Sequence, residues 1–199
     1  MRGYYFITDS KLSRLGNISD IRCALAAGVK IVQYREKSLD THLMYLEALK
    51  LRKLCKGITF IVNDRLDLAL AVGADGLHLG SGDLPYAVAR KLLGKKKIIG
   101  LTVHTLKGAM QAEELGANYI GVAPIFPTGT KRNAGRAVGT KLLKEIRRKV
   151  GIPIIAIGGI SLLNAEEVIQ SGSDGLCAIS AVVTKPNVKK EVLKFQRLF

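Results

Sequence analysis

Three cations in this chain stand close to small hydroxyls and carboxylates. Arg35 and Lys37 close the apolar run "IVQYREK", and Lys131 ends "PIFPTGTK" just after Thr128 and Thr130. A guanidinium offers a planar fork to phosphate oxygens, and an ammonium offers a point charge. Asp64 in "IVNDRLD" and Asp83 in "LGSGDLP" follow two further apolar runs. Hard carboxylate oxygens beside phosphates suit Mg²⁺, which keeps several waters and takes one or two carboxylates. The chemistry on offer is the binding and neutralising of phosphate groups, with no nucleophile triad in sight. Simpler readings stay open. Asp64 and Asp83 could each be a helix N-cap, before "RLDLALAV" and "LPYAVARKLL". Thr128 and Thr130 could shape a turn, and Arg35, Glu36 and Lys37 could be a surface charge cluster. His78, inside an apolar run, reads as a satisfied core histidine. His104 lies just past a run, and His42 reads as surface.

These residues need elements to position them. Eight short apolar runs recur, at 4–8, 31–36, 59–64, 76–80, 98–104, 119–126, 153–159 and 175–180. Near-continuous hydrophobicity is expected of parallel strands buried on both faces. Helical patterns such as "DTHLMYLEALKLRKLC" lie between them. "AAGVKIVQ", "AVGADGLHLG", "ELGANYIGV" and "QSGSDGLCAI" share one form, in which Gly28, Gly73, Gly116 and Gly172 read as left-handed glycines ending helices. This rhythm predicts an α/β fold, a (β/α)8 TIM barrel forming a single compact domain over 1–199, with a doubly wound sheet as the runner-up.

A barrel places its chemistry at the C-terminal ends of its strands. The polar residues fall there. The second strand ends Gln33-Tyr34-Arg35-Glu36-Lys37, the third Asn63-Asp64-Arg65, and the fourth reaches His78, Gly80 and Asp83. The fifth carries Thr102 and His104, the sixth runs into Thr128-Gly129-Thr130-Lys131, the seventh ends Gly158-Gly159-Ile160-Ser161, and the eighth ends Ile179-Ser180. Arg35, Lys37, Asn63, Asp64 and Asp83 form one group. Thr128, Thr130, Gly159 and Ser180 form another, and Lys131 serves either. "IGGIS" and "AISAVV" are expected to enter helices whose first N–H groups face an anion. The loop at 127–136 lies where barrels commonly carry lids.

Composition narrows the class. The chain has 199 residues and a net charge of +15, with its basic residues spread over segments read as surface helices. An arginine-rich tail and Trp are both absent, which argues against a nucleic-acid partner. The chain contains no run of about 18 uncharged apolar residues, so no membrane span is expected. The start "MRGYYFITDSK" reads as a strand and not a signal peptide. Three cysteines, Cys23, Cys55 and Cys177, lack CxxC spacing, which makes a reducing cytoplasm the default. Oligomeric state is left open.

The ordered set "VQYREK", "IVNDRLDLALAVGADGLHLGSGDLP", "IIGLTVHT", "YIGVAPIFPTGTK", "IPIIAIGGI" and "GLCAISAV" closely resembles the thiamine-phosphate synthases, over nearly the whole chain. The resemblance implies a barrel enzyme that joins hydroxymethylpyrimidine diphosphate to a thiazole phosphate, releasing pyrophosphate with the help of Mg²⁺. It implies that the segment Gln33, Tyr34, Arg35, Glu36 and Lys37, with Asn63, binds the pyrimidine diphosphate. Thr102 would lie near the pyrimidine, and Lys131 would touch the diphosphate. Arg35, Lys37, Lys131 and Thr102 would be catalytic. Asp64 and Asp83 would hold Mg²⁺, and Thr128, Gly129, Thr130, Gly159, Ile179 and Ser180 would hold the thiazole phosphate. Ser81-Gly82 stands where the family often has Gln-Glu or Gln-Asp, Ala137 where it often has Pro, and Tyr34 replaces a common aliphatic residue. Two alternatives are a thiazole tautomerase of the same superfamily, in which His104 would matter, and a non-catalytic phosphate-binding regulatory barrel.

Overall fold

The computed structural model of the chain describes residues 1–131 and 134–199. Arg132 and Asn133, inside the loop read as a candidate lid, lie outside the described residues. The chain opens with two short strands, β1 (Gly3–Tyr4) and β2 (Phe6–Ile7), then α1 (Asn17–Ala26), β3 (Ile31–Tyr34), α2 (Thr41–Leu54) and β4 (Thr59–Asn63). The alternation continues with α3 (Leu66–Ala71), β5 (Gly76–Leu79), α4 (Tyr86–Leu93), β6 (Ile98–Val103), α5 (Leu106–Glu114) and β7 (Tyr119–Val122). It ends with α6 (Gly139–Lys149), β8 (Ile154–Ile157), α7 (Ala165–Gln170), β9 (Gly175–Cys177), α8 (Ser180–Val183) and α9 (Val188–Gln196).

All neighbouring strands are parallel, in the order β1-β9-β8-β7-β6-β5-β4-β3-β2. The two ends of that order are one chain segment. Gly3 pairs with Gly175 on one side and Phe6 with Val32 on the other, with only Tyr5 between β1 and β2. The sheet therefore closes, which a doubly wound sheet with two free edges does not. The fold is the expected βα barrel, its first strand interrupted at Tyr5.

Strand periodicity sorts the side chains into two layers. Tyr4, Phe6, Val32, Tyr34, Phe60, Val62, Leu77, Ile99, Ile120 and Leu176 face outward and pack under the helices in the main core. Tyr5, Ile7, Ile31, Ile61, Tyr119, Ile155 and Cys177 form a separate cluster inside the barrel. Room for the inner layer comes from glycines. A Cβ on Gly100 would lie 2.0 Å from the Tyr119 ring, and one on Gly121 would lie 3.2 Å from the His78 ring.

Local signals explain several helix ends. Asp40 caps α2 by accepting from Leu43 N at 2.9 Å, and Thr105 caps α5 by accepting from Gly108 N at 3.0 Å. Gly28, Gly73, Gly116 and Gly172 all have positive φ where helices end, as expected. Two expectations need correction. "IGGIS" does not enter a helix directly, because Asn164 accepts from Ser161 N and donates to Gly159 O, shaping a turn that delays α7 to Ala165. "AISAVV" does enter one, but α8 is only four residues long.

Candidate active site

The C-terminal ends of the strands open onto a cavity of about 790 Å³ including its mouth. Its walls combine Gln33, Arg35, Asn63, His78, Thr102 and His104 on one side with Thr128, Thr130, Gly159, Ile179 and Ser180 on the other. A second cleft adjoins it, lined by Asp9, Ser10, Lys11, Arg35, Lys37, Gly129, Thr130 and Lys131. Arg35, Thr130 and Lys131 belong to both walls. One space thus runs from a hydroxyl-lined end to a cation-lined end.

Arg35 is held by the loop after β2. Thr8 Oγ1 accepts from Arg35 N at 2.8 Å and donates to Arg35 O at 3.0 Å. Asp9 Oδ2 lies 2.5 Å from the guanidinium, and the two side chains are only 17% and 6% exposed. Burial of this pair removes the surface-cluster reading, because a screened surface pair would fix nothing. Lys11, Arg35, Lys37 and Lys131 line the second cleft against the single carboxylate Asp9.

Lys37 Nζ is paired with Asp64 Oδ2. Among the described residues Asp64 is the only non-glycine with positive φ, at 62°. That left-handed backbone is uncommon outside glycine and is a mark of functional sites. Burial works against the charged Asp64, but hydrogen bonding with Asp83 and the Lys37 ammonium outweigh it and hold its carboxyl below the usual range. Asp83 is pushed the other way, by burial and then by Asp64. Neither carboxylate caps a helix: α3 begins behind Arg65 and α4 behind Pro85, neither with a side-chain cap. Asp83 Oδ2 instead accepts from Gly80 N at 2.6 Å. Two neighbouring carboxylates, Asp64 and Asp83, are oxygen donors of the kind that fits a hard divalent ion, with Lys37 resting against one of them. Among the described residues no group of three or more His, Cys, Asp or Glu could hold a metal without other ligands.

At the far end, Gly159 (φ 63°) lets the loop after β7 lie against it, since a Cβ there would meet Pro127 O at 2.6 Å. Thr128 Oγ1 accepts from Thr130 N at 3.3 Å, so these threonines shape the turn and line the cavity together. Gly129 lines the cationic cleft and not the cavity. His104 Nδ1 lies 2.5 Å from Ala123 O, with the ring in the cavity wall.

Four candidates line neither space, and two of them point away from the site. Tyr34 is 1% exposed and faces the helix layer, where its hydroxyl donates to Glu47 Oε2 at 2.8 Å. Glu36 is turned back on its own loop, accepting from Lys37 N at 2.7 Å and Ser38 N at 2.6 Å. Both have the strand parity opposite to Gln33, Arg35 and Lys37. Asp64 and Asp83 sit at the rim beside Lys37, outside the walls of both spaces. Thr8, Asp9 and Lys11 are site residues that sequence reasoning missed, although "TDSK" ends the first strand, where the first βα loop must begin. His78 is a satisfied core residue, between Tyr119 Oη at 2.9 Å and Thr102 Oγ1 at 2.8 Å. Burial pulls its pKa down to about 4.

A family model for thiamine monophosphate synthase matches residues 4–182. The thiamine-phosphate synthase of Methanosarcina barkeri is 50% identical over 193 residues, covering 96% of this chain and 88% of that protein. That of Methanospirillum hungatei is 48% identical over 199 residues, covering 98% and 97%. Among solved structures, a thiamine phosphate pyrophosphorylase from Pyrococcus furiosus superposes with a TM-score of 0.91 at 39% identity, covering 98% of this chain and 94% of that one.

Proposed function

The chain belongs to the thiamine monophosphate synthase family, and from that membership we infer how its site works. It is a transferase that joins a pyrimidine and a thiazole moiety. We propose that the pyrimidine enters as its hydroxymethyl diphosphate and the thiazole as a phosphate ester. The observation that carries this is the continuity of the two spaces, with Arg35, Thr130 and Lys131 shared between a hydroxyl-lined and a cation-lined end.

In this reading the diphosphate lies in the cleft of Arg35, Lys37 and Lys131. The bond from the pyrimidine methylene carbon to the diphosphate oxygen breaks, and both electrons leave with the diphosphate. Fixed cations stabilise the charge that develops there without reorganising during the step. Asp9 and Thr8 keep Arg35 aimed, and Asn63 lines the cavity. The electron-rich aminopyrimidine stabilises the cationic methylene until the thiazole nitrogen attacks it. No proton is lost in that bond formation, so a general base is not required. Thr128, Thr130 and Ser180, with the backbone at Gly159 and Ile179, hold the thiazole phosphate. Asp64 and Asp83 would hold Mg²⁺, which when bound supplies further neutralisation of the diphosphate.

No described helix is long and apolar enough to cross a membrane. The three cysteines are free, which fits the cytoplasm as its place of work. The reading is tested by mixing the protein with both phosphorylated halves, with Mg²⁺ and then with EDTA. Metal-dependent thiamine monophosphate and pyrophosphate are expected. Interconversion of thiazole isomers without that product would overturn the reading and make His104 the residue to study.

A further inference from the structure

Five side chains cross the barrel interior in one hydrogen-bonded file. Gln33 Nε2 donates to Tyr5 Oη at 2.9 Å, and Tyr5 Oη lies 2.8 Å from Tyr119 Oη. Tyr119 Oη lies 2.9 Å from His78 Nδ1, and His78 Nε2 lies 2.8 Å from Thr102 Oγ1. Gln33, Tyr5, Tyr119 and His78 are all buried. Gln33 and Thr102, at the two ends, also line the cavity.

The direction of the file follows from counting hydrogens. The Gln33 amide nitrogen can only donate. Tyr5 Oη accepts from it, so the Tyr5 hydrogen has one neighbour left, Tyr119 Oη. Tyr119 accepts that hydrogen and donates its own to His78 Nδ1. A ring nitrogen that accepts carries no proton, so neutral His78 holds its proton on Nε2 and donates to Thr102 Oγ1. Run in reverse, Nδ1–H would donate to Tyr119 and Tyr119 to Tyr5. With the Gln33 amide nitrogen facing Tyr5, the Tyr5 hydrogen would then be buried with no acceptor, a costly state. In the favoured direction, Thr102 has its hydroxyl hydrogen free for the cavity. Gln33 Oε1 has no protein partner and is not sealed from solvent among the described residues, so it is left as an acceptor.

We propose that this file locks the hydrogen-bond polarity of the pyrimidine subsite, with His78, Tyr119 and Tyr5 as positioning residues that make Thr102 a donor and Gln33 an acceptor. An aminopyrimidine offers the complement, a ring nitrogen that accepts and an amino group that donates. Its oxo counterpart offers an N–H and a carbonyl, the opposite pattern, and is refused. The choice of ligand rests on the synthase reading. The lock itself is a property of the free protein.

That difference separates the two in experiment. Nitrogen NMR on ligand-free protein carrying isotope-labelled histidine reads the His78 tautomer, with His42→Gln and His104→Gln assigning the other two signals. A bare Nδ1 and a protonated Nε2 are expected, and a proton on Nδ1 overturns the lock whether or not the enzyme turns over. In the kinetic arm, kcat/KM is compared for the aminopyrimidine diphosphate and its oxo analogue. His78→Met, which has no donor, should reduce the preference at least about tenfold, the order of one buried hydrogen bond. His78→Gln, which restores an N–H toward Thr102, should recover most of it. A preference unchanged in His78→Met overturns the proposal. If His78→Met does not fold, the tautomer alone decides. If wild-type protein makes no product from either pyrimidine, the synthase reading fails and the tautomer still decides the lock.

Discussion

The Lys37 ammonium is paired with the Asp64 carboxylate, and Asp64 in turn has the Asp83 carboxyl as its neighbour, each shifting the other's protonation. A cation suited to a diphosphate therefore rests on a carboxylate suited to a metal, and binding a divalent ion would release it toward the cleft it lines. Lys37→Met should bind Mg²⁺ more tightly, because a competing positive charge is gone. Lys37 is half-exposed, so the gain should be only a few-fold, about 1 kcal/mol at most. Titration calorimetry with Mg²⁺ on the free protein checks this. Weaker or unchanged affinity would show that the pair does not compete with the metal. Turnover should fall in the same variant.

Asp83→Asn probes the other carboxylate. It keeps an oxygen to accept from Gly80 N but removes a charge, so the turn should survive. The Mg²⁺ concentration needed for half-maximal activity should rise about tenfold or more, the loss of one charged ligand. An unchanged metal titration with normal activity would leave Asp83 as a turn residue only.

Lys131 lies in the walls of both spaces, where its charge can follow the departing diphosphate. Lys131→Ala should lower kcat by roughly 10²–10³, the size of removing one preorganised electrostatic contact. KM for the thiazole phosphate should move far less. Steady-state kinetics with each substrate varied separate the two effects, and a normal kcat sinks the role.

The barrel was legible because its strands are buried on both faces and its helices end in glycines that leave little choice of backbone. The grouping of cations with hydroxyls was legible because strand ends in a barrel share one rim. Tyr34 and Glu36 were misplaced by reading the Gln33–Lys37 segment as a block. Period-two alternation sends them outward, so parity already held the answer. Thr8 and Asp9 were missed because their job is to hold Arg35 across 27 and 26 positions in sequence. No local pattern reports a contact of that range. The delayed start of α7 was hidden for a similar reason: Asn164 reads as an ordinary turn residue until it is seen bonded back to Gly159 and Ser161.

Glu36 gives a pH-dependent stability. Burial opposes its charge, but hydrogen bonding from Ser10 and from the Ser38 and Lys37 backbone wins, so its carboxyl lies below the ordinary range. A depressed folded-state pKa means that the stabilisation is complete above the unfolded value, about 4.3 for Glu, and fades as pH falls through the folded value. Glu36→Gln should therefore cost about 1–2 kcal/mol at pH 7, the worth of charge-assisted hydrogen bonds. The gap to wild type should shrink below about pH 4. Urea unfolding at a series of pH values measures it, and a constant gap would mean that Glu36 acts through packing alone.

Gly100 makes the sharpest structural prediction. An added Cβ would sit 2.0 Å from Tyr119 Cζ and 2.5 Å from its hydroxyl oxygen. Tyr119 is buried inside the barrel, flanked by Tyr5 and His78. Gly100→Ala should cost about 3 kcal/mol or more, the upper part of the range for overpacking a core. The ring must move, so the bond from Tyr119 to His78 should be disturbed as well. Gly82→Ala is the control, since its Cβ would meet nothing within 4 Å and its φ is ordinary. That variant should unfold within about 0.5 kcal/mol of wild type. Thermal unfolding of the pair decides the point: equal midpoints would mean that the interior has slack enough to re-seat Tyr119.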